Sequence, residues 1–282
     1  MAAGAVLTVL LAGSAEAAKP KAPPKLRSAS ATVTASGTES VASATATCPA
    51  KTKAVAGGYT TSIPALPPAA SPHWLNVHES QRVGEKAWRV SGVDYLGGTD
   101  SLTAYVYCEA LKTKVRTASQ TVALPTTANT GTTGFATCPE GSKPLSGGFS
   151  LPPASAADAS YVSRSIAGNR IGWVVDATRL AVSGARSLIS YAYCAEVPAI
   201  KTKSAARSVL GPAGSLTQAA TGRCAKRASA RGGGFATSTP VGGLLATALV
   251  YETRRLGRGW TSSAVASGAT TSSTLVTNAY CR

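Results

Sequence analysis

The chain has 282 residues with 28 Lys plus Arg against 12 Asp plus Glu, a formal charge of +16; 14% of residues are charged and 44% hydrophobic. That charge density excludes a disordered polyelectrolyte, and the apolar content suffices for a core. Two histidines and a single methionine exclude a His-rich metal site and His-based catalysis repeated along the chain.

Residues 2–13, AAGAVLTVLLAG, form an apolar run of signal-peptide length, and Ala15 and Ala17 follow in the small-x-small cleavage pattern. The expectation is a signal peptide over 1–17 and a secreted, extracellular product. No Lys or Arg precedes the run, so either the true start lies upstream or the amino terminus supplies the positive end. The run is too short for a transmembrane anchor, and no later segment is long and apolar enough to span. Residues 18–29 begin AKPKAPPKLRS and read as a basic, Pro-rich linker.

Beyond the linker the sequence repeats three times. Cys48, Cys138 and Cys224 are each followed at a fixed distance by Gly-Gly-aromatic: Gly57-Gly58-Tyr59, Gly147-Gly148-Phe149 and Gly233-Gly234-Phe235. Pro follows the first two cysteines, and Ala225 follows the third. One tryptophan comes later in each repeat (Trp88, Trp173, Trp260), and each repeat closes on Tyr-Cys at Cys108, Cys194 and Cys281. Units of 30–117, 118–207 and 208–282 are expected. The segments LKTKVRTAS and IKTKSAARS also repeat and read as connecting linkers.

The closing segments LTAYVYC, LISYAYC and LVTNAYC alternate as strands. Leu102, Ala104, Val106 and Cys108 share one face, which is expected to be core, with Leu188/Ala192/Cys194 and Leu275/Ala279/Cys281 in the same register. Short runs separated by Gly, Pro, Ser and Thr, with no capped helical period, predict an all-β, antiparallel protein. The Gly-Gly pair is expected at a bend or bulge, where a side chain would clash or φ is positive. A phosphate loop lacks its strand–loop–helix context and its Lys-Thr/Ser.

Six cysteines in a secreted chain predict three disulfides. Pairing within repeats (Cys48–Cys108, Cys138–Cys194, Cys224–Cys281) gives each repeat its own staple. A rival threefold scheme links Cys108–Cys138, Cys194–Cys224 and Cys281–Cys48. No Cys-x-x-Cys supports zinc, and no metal or cofactor is expected.

A threefold Cys-Pro, Gly-Gly-aromatic, aromatic-Cys pattern resembles the vitelline membrane outer layer protein I family, and it resembles secreted bacterial repeat proteins of unknown role still more. The former resemblance implies a β-prism, three antiparallel sheets around a pseudo-threefold axis, and carries no catalytic residue across. The alternative is three tandem small β-sandwiches.

His73 and His78 stand beside Glu79 in SPHWLNVHES, either as a metal pair or general base, or as polar decoration of a loop leading into a strand. Their spacing of five puts them on opposite faces of a strand, and the other repeats lack them. No Gly-x-Ser-x-Gly elbow is present, and no catalytic residue is assigned. The repeated tryptophans read as core; Trp74, without a counterpart, is the candidate for exposed glycan stacking. Charge rises along the chain: residues 28–117 hold eight basic and six acidic residues, 118–207 eight and four, 208–282 eight and one. Arg254, Arg255, Arg258, Arg227 and Arg231 are therefore the candidates for binding an anionic ligand. The expected role is non-catalytic, binding or structural, in the cell envelope or extracellular space. The expected partner is an anionic polymer or glycan rather than specific nucleic acid. A carbohydrate-active enzyme with a site in the first-repeat loops 64–79, using His78 or Glu79, is one alternative. An inhibitor or toxin presenting loops from a rigid scaffold is the other.

Overall fold

The computed structural model describes residues 26–64, 73–152, 159–169, 171–180, 184–196, 201–209, 218–226, 228–238, 247–267 and 273–282. The expected signal peptide and most of the linker lie outside them. Every regular element among the described residues is a β-strand. The first repeat supplies β1 (Arg27–Ser36), β2 (Val41–Thr47), β3 (Lys53–Thr61), β4 (Leu75–Val83), β5 (Ala87–Asp94) and β6 (Thr99–Glu109). The second supplies β7 (Arg116–Ala123), β8 (Thr130–Thr137), β9 (Lys143–Ser150), β10 (Ser160–Gly168), β11 (Gly172–Arg179) and β12 (Ser187–Ala195). The third supplies β13 (Lys201–Val209), β14 (Gln218–Gly222), β15 (Ala230–Thr237), β16 (Thr247–Leu256), β17 (Gly259–Ser267) and β18 (Ser273–Cys281). Each six-strand unit thus starts a few residues ahead of the boundary expected from sequence. Of the segments read as linkers, the first runs into β7 and the second is almost wholly β13, both edge strands rich in Ser, Thr and Ala.

The strands form three six-stranded sheets, ordered β1-β6-β3-β16-β17-β14, β13-β18-β15-β10-β11-β8 and β2-β5-β4-β9-β12-β7. Each sheet takes three strands from one repeat and three from another, so the three repeats interlock in a ring, first with third, third with second, second with first. Tandem independent sandwiches are incompatible with this sharing, and the pseudo-threefold prism-like assembly holds.

The joints between repeats are short. β4 meets β9 through Glu79↔Ser150 and Ser80↔Phe149. β10 meets β15 through Arg164↔Ala236 and Ser165↔Phe235, and β16 meets β3 through Glu252↔Thr60 and Thr253↔Tyr59. A two-residue ladder cannot by itself hold two repeats together, and three side-chain devices reinforce each joint. First, the tryptophan of each repeat is 1% exposed. Its ring lies against the first glycine of its own repeat: a Cβ on Gly57, Gly147 or Gly233 would sit 2.0–2.1 Å from it. The indole Nε1–H donates to Ser80 at 3.0 Å, Ser165 at 2.9 Å and Thr253 at 2.8 Å. Second, the other glycine lets the neighbouring repeat's backbone approach: a Cβ on Gly58, Gly148 or Gly234 would lie 2.2, 2.3 or 2.1 Å from the carbonyl oxygen of Thr253, Ser80 or Ser165. The Gly-Gly pair is therefore set by close approach, not by positive φ, with a bulge just before it in β3, β9 and β15. Third, the tyrosine before each closing cysteine reaches the neighbouring repeat. Its ring packs edge-on against a tryptophan at 5.3–5.4 Å: Tyr193 on Trp88, Tyr280 on Trp173, Tyr107 on Trp260. Its hydroxyl accepts a backbone N–H beyond the ladder, from Arg82 at 2.7 Å, Ala167 at 2.6 Å and Arg255 at 2.8 Å.

The expected core face is core: Leu102, Ala104, Val106, Leu188, Ala192, Leu275 and Ala279 are 0% exposed. Disulfides join Cys48–Cys108, Cys138–Cys194 and Cys224–Cys281, across sequence separations of 60, 56 and 57. Loop entropy gives each about 4 kcal/mol. The pairing is the within-repeat scheme.

Gly148→Ala drives a methyl group into the Ser80 carbonyl and is expected to cost about 3 kcal/mol in chemical denaturation with disulfides intact. Gly184→Ala, where nothing lies within 4 Å, stays within about 0.5 kcal/mol of the parent. Tyr193→Phe strands the Arg82 N–H and costs about 2 kcal/mol in the same assay.

Candidate functional site

The strand directions gather the three disulfides at one end of the assembly. β1 begins there with Arg27 opposite Cys108, β7 with Arg116 opposite Cys194, and β13 with Lys201 opposite Cys281. Three hairpin turns join this end, β4–β5, β10–β11 and β16–β17. Their backbones bond to it: the Lys86 carbonyl accepts the Cys48 N–H at 2.7 Å, Ile171 that of Cys138 at 2.8 Å, and Arg258 that of Ala230 at 2.9 Å.

This end is strongly basic. Among the residues whose side chains are described, every exposed Lys or Arg lies here: Arg27, Lys51, Lys86, Lys112, Lys114, Arg116, Lys143, Arg223, Lys226 and Arg258. The exposed carboxylates of this end are Glu85, Glu140 and Glu196, and Glu196 sits 3.7 Å from Arg116. Among the described residues, the connections at the opposite end carry Glu39 and Arg186 as charged residues. The positive charge is thus sorted by end of the molecule more sharply than by repeat.

The arginines singled out from the sequence divide. Arg258 is exposed. Arg254 is partly covered, its Nε 2.6 Å from Glu252 and its guanidinium 5.9 Å from the Tyr105 ring centre. Arg255 is half-buried. Arg231 is 5% exposed and faces Glu109 at 2.9 Å, with Arg282 on the other carboxylate oxygen. Burial lowers the Arg231 pKa, and Glu109 acts to raise it. Arg231 therefore serves an internal ion cluster between the first and third repeats, at the bulge where the others carry Val55 and Leu145; it does not face a ligand. Arg227 lies outside the described residues. The lysines at 112, 114, 143, 51 and 86 were not singled out. The signal that pointed to Lys112 and Lys114 was the recurring Lys-Thr-Lys, which lies ahead of β7 and opens β13 at this same end of the fold.

Trp74 is half-buried, edge-on to Tyr95 at 5.3 Å, and lines a cleft with Tyr59, Tyr161, Leu249 and Tyr251 at the opposite end. It is a packing residue of that cap more than an exposed platform. The two histidines take different partners. His73 Nδ1 lies 2.9 Å from Asp100. His78 is the bulged residue of β4, where the other repeats place Ser163 and Tyr251. It is 6% exposed, and burial, aided by Arg186 and opposed by Glu79, lowers its pKa to about 4. The Glu79 carboxylate is held by Arg89 at 2.6 Å and Ser91 at 3.0 Å. No group of three or more metal-ligating side chains occurs among the described residues.

No protein-family model matches the chain, and no curated protein shows significant similarity to it. The class that the fold defines is an all-β, disulfide-stapled ring of three interlocked repeats. Three disulfides suit an oxidising environment, and no helix among the described residues is long and apolar enough to cross a membrane.

His78 is neutral when folded, and its pKa of about 4 lies below its ordinary 6.5. Below pH 6.5 the unfolded chain binds the extra proton, so stability falls as pH drops from 6.5 towards 4, by roughly 3 kcal/mol for this group. His78→Ser, copying Ser163, is expected to remove that component from the pH dependence of unfolding, measured against the parent across the same window.

Proposed function

We propose that this is a secreted, non-catalytic binding protein that uses its disulfide-bearing end to hold an anionic surface of the cell envelope or extracellular matrix. The observation that carries the reading is the sorting of charge: ten exposed cations against three carboxylates at one end of the described structure, against Glu39 and Arg186 in the described connections at the other. Such a field attracts polyanions from a distance and orients the protein as it arrives. Rigid sheets and three disulfides keep the cations in place without a ligand, so little conformational entropy is lost on binding. The likeness of pattern to the vitelline membrane outer layer protein I family supports a scaffold role for the three sheets. The apolar run at residues 2–13 supports export.

Retention of the purified protein on immobilised long-chain polyphosphate tests the reading. Retention is expected to collapse as salt rises, because contacts between exposed charges are screened within about 8 Å at physiological ionic strength. The double variant Lys226→Glu/Arg258→Glu is expected to bind roughly tenfold more weakly with a shallower salt dependence, while Trp74→Ala binds as the parent does. Salt-insensitive retention, or equal binding by the charge-reversed variant, overturns the assignment of this end.

A further inference from the structure

The basic end carries a second feature that charge alone does not explain. Six large hydrophobic side chains are exposed among the described residues, and three of them sit at the tips of the three hairpins that reach this end. Val83, 38% exposed, ends β4; Ile171, 52% exposed, precedes β11; Leu256, 50% exposed, ends β16. Val83 and Leu256 occupy the same ladder position, the last of β4 and β16, opposite Ala87 and Gly259. Ile171 precedes Gly172, which pairs with the corresponding last residue of β10, Gly168. The other three exposed hydrophobics, Val41, Ile63 and Leu96, all belong to the first repeat at the opposite end. Exposed cations stand on the same tips, with Lys86 beyond Val83 and Arg258 beyond Leu256; Glu85 is the carboxylate among them.

We infer that the anionic surface this end binds is a lipid bilayer, and that Val83, Ile171 and Leu256 enter the boundary between headgroups and acyl chains while the surrounding cations remain at the headgroup phosphates. The inference rests on the proposed role of the basic end and names its partner. A soluble polyanion rewards cations but gives nothing to an exposed branched aliphatic side chain, which costs free energy in water. A bilayer with anionic headgroups rewards both: each cation near its surface strengthens binding about fivefold, and each aliphatic side chain taken fully out of water adds roughly tenfold. One tip alone would bind marginally. Three tips on a disulfide-stapled ring engage together, the second and third at high effective concentration. Three related tips also define a plane, so the pseudo-threefold axis stands upright on the membrane and the opposite end faces away. The protein lies on the bilayer and does not cross it.

Co-flotation with phosphatidylcholine vesicles, with and without phosphatidylglycerol, tests the inference beside retention on polyphosphate. The parent is expected to float only with phosphatidylglycerol present. The triple variant Val83→Ser/Ile171→Ser/Leu256→Ser is expected to bind those vesicles at least about tenfold more weakly while its retention on polyphosphate is unchanged. A Leu256→Trp variant, whose added indole reports directly on its surroundings, is expected to shift its emission to the blue on anionic vesicles and not on polyphosphate. Retention on polyphosphate without flotation overturns the bilayer assignment and leaves the proposed function standing. Equal flotation of the parent and triple variant, or no shift from Leu256→Trp, overturns insertion of the tips. Binding to neither probe overturns both readings.

Discussion

The fold depends on one repeated constraint, the close approach of a strand to its neighbour across a glycine. At each of the three joints the backbone ladder is two pairs long, too short to be stable alone. The joint survives because an indole fills the space above the first glycine, a foreign carbonyl fills the space above the second, and a tyrosine spans the gap beyond. The tyrosine hydroxyl supplies the acceptor that the ladder no longer does, so the N–H of Arg82, Ala167 or Arg255 is satisfied where the strands splay. Burial pushes the phenols of Tyr107, Tyr193 and Tyr280 well above their ordinary range, which keeps them uncharged at the joints. A ring of such joints has no free end: loosening one exposes both glycine notches and a tryptophan, so the three joints support one another.

Where the repeats agree, the residues serve this ring; where they differ, they break its symmetry. The bulge before Gly-Gly carries Val55, Leu145 and Arg231, and the position after the closing cysteine carries Glu109, Ala195 and Arg282. Val55, Leu145 and Ala195 join the apolar core, while Glu109, between Arg231 and Arg282, makes a buried ion cluster. A buried ion pair gains little over an apolar contact, but it penalises mismatched partners. Here it distinguishes the closure of the first repeat on the third from the other two joints.

The cysteine and glycine spacing made the threefold repeat, the strands and the core faces legible, because all three reflect positions that close packing repeats without exception. The tryptophans were legible as core for the same reason. The sharing of each sheet between repeats was not, since a strand's own alternation does not name its partner. Nor were β7 and β13: an edge strand rich in Ser, Thr and Ala has the composition of a linker. The arginines of the third repeat were legible as a run of charge, yet Arg231 and Arg258 are alike in sequence context and opposite in burial. Only the bulge at Arg231 separates them, and its bulge-mates Val55 and Leu145 would have been the clue. The aliphatic tips carry almost no signal in sequence, since a Val, Ile or Leu beside a turn is ordinary until its exposure is known.

The two ends of the ring answer to different demands. Hydrophobic contacts close the end away from the disulfides: Trp74 and Leu180 pack against Tyr95, Tyr161, Leu249 and Val265. At the basic end the three disulfides lie beside the hairpin turns, whose backbones bond directly to the cysteine-bearing segments. That placement matters for a charged surface. Ten like charges gathered at one end repel one another and would spread a flexible scaffold. Covalent staples and backbone bonds at the same end resist the repulsion where it is strongest. The cations are therefore held in place, as the proposed binding of an anionic partner requires, and such a partner would relieve the repulsion among them. Stapling and charge at the same end are in this sense one design, with the glycine joints transmitting its rigidity to the rest of the ring.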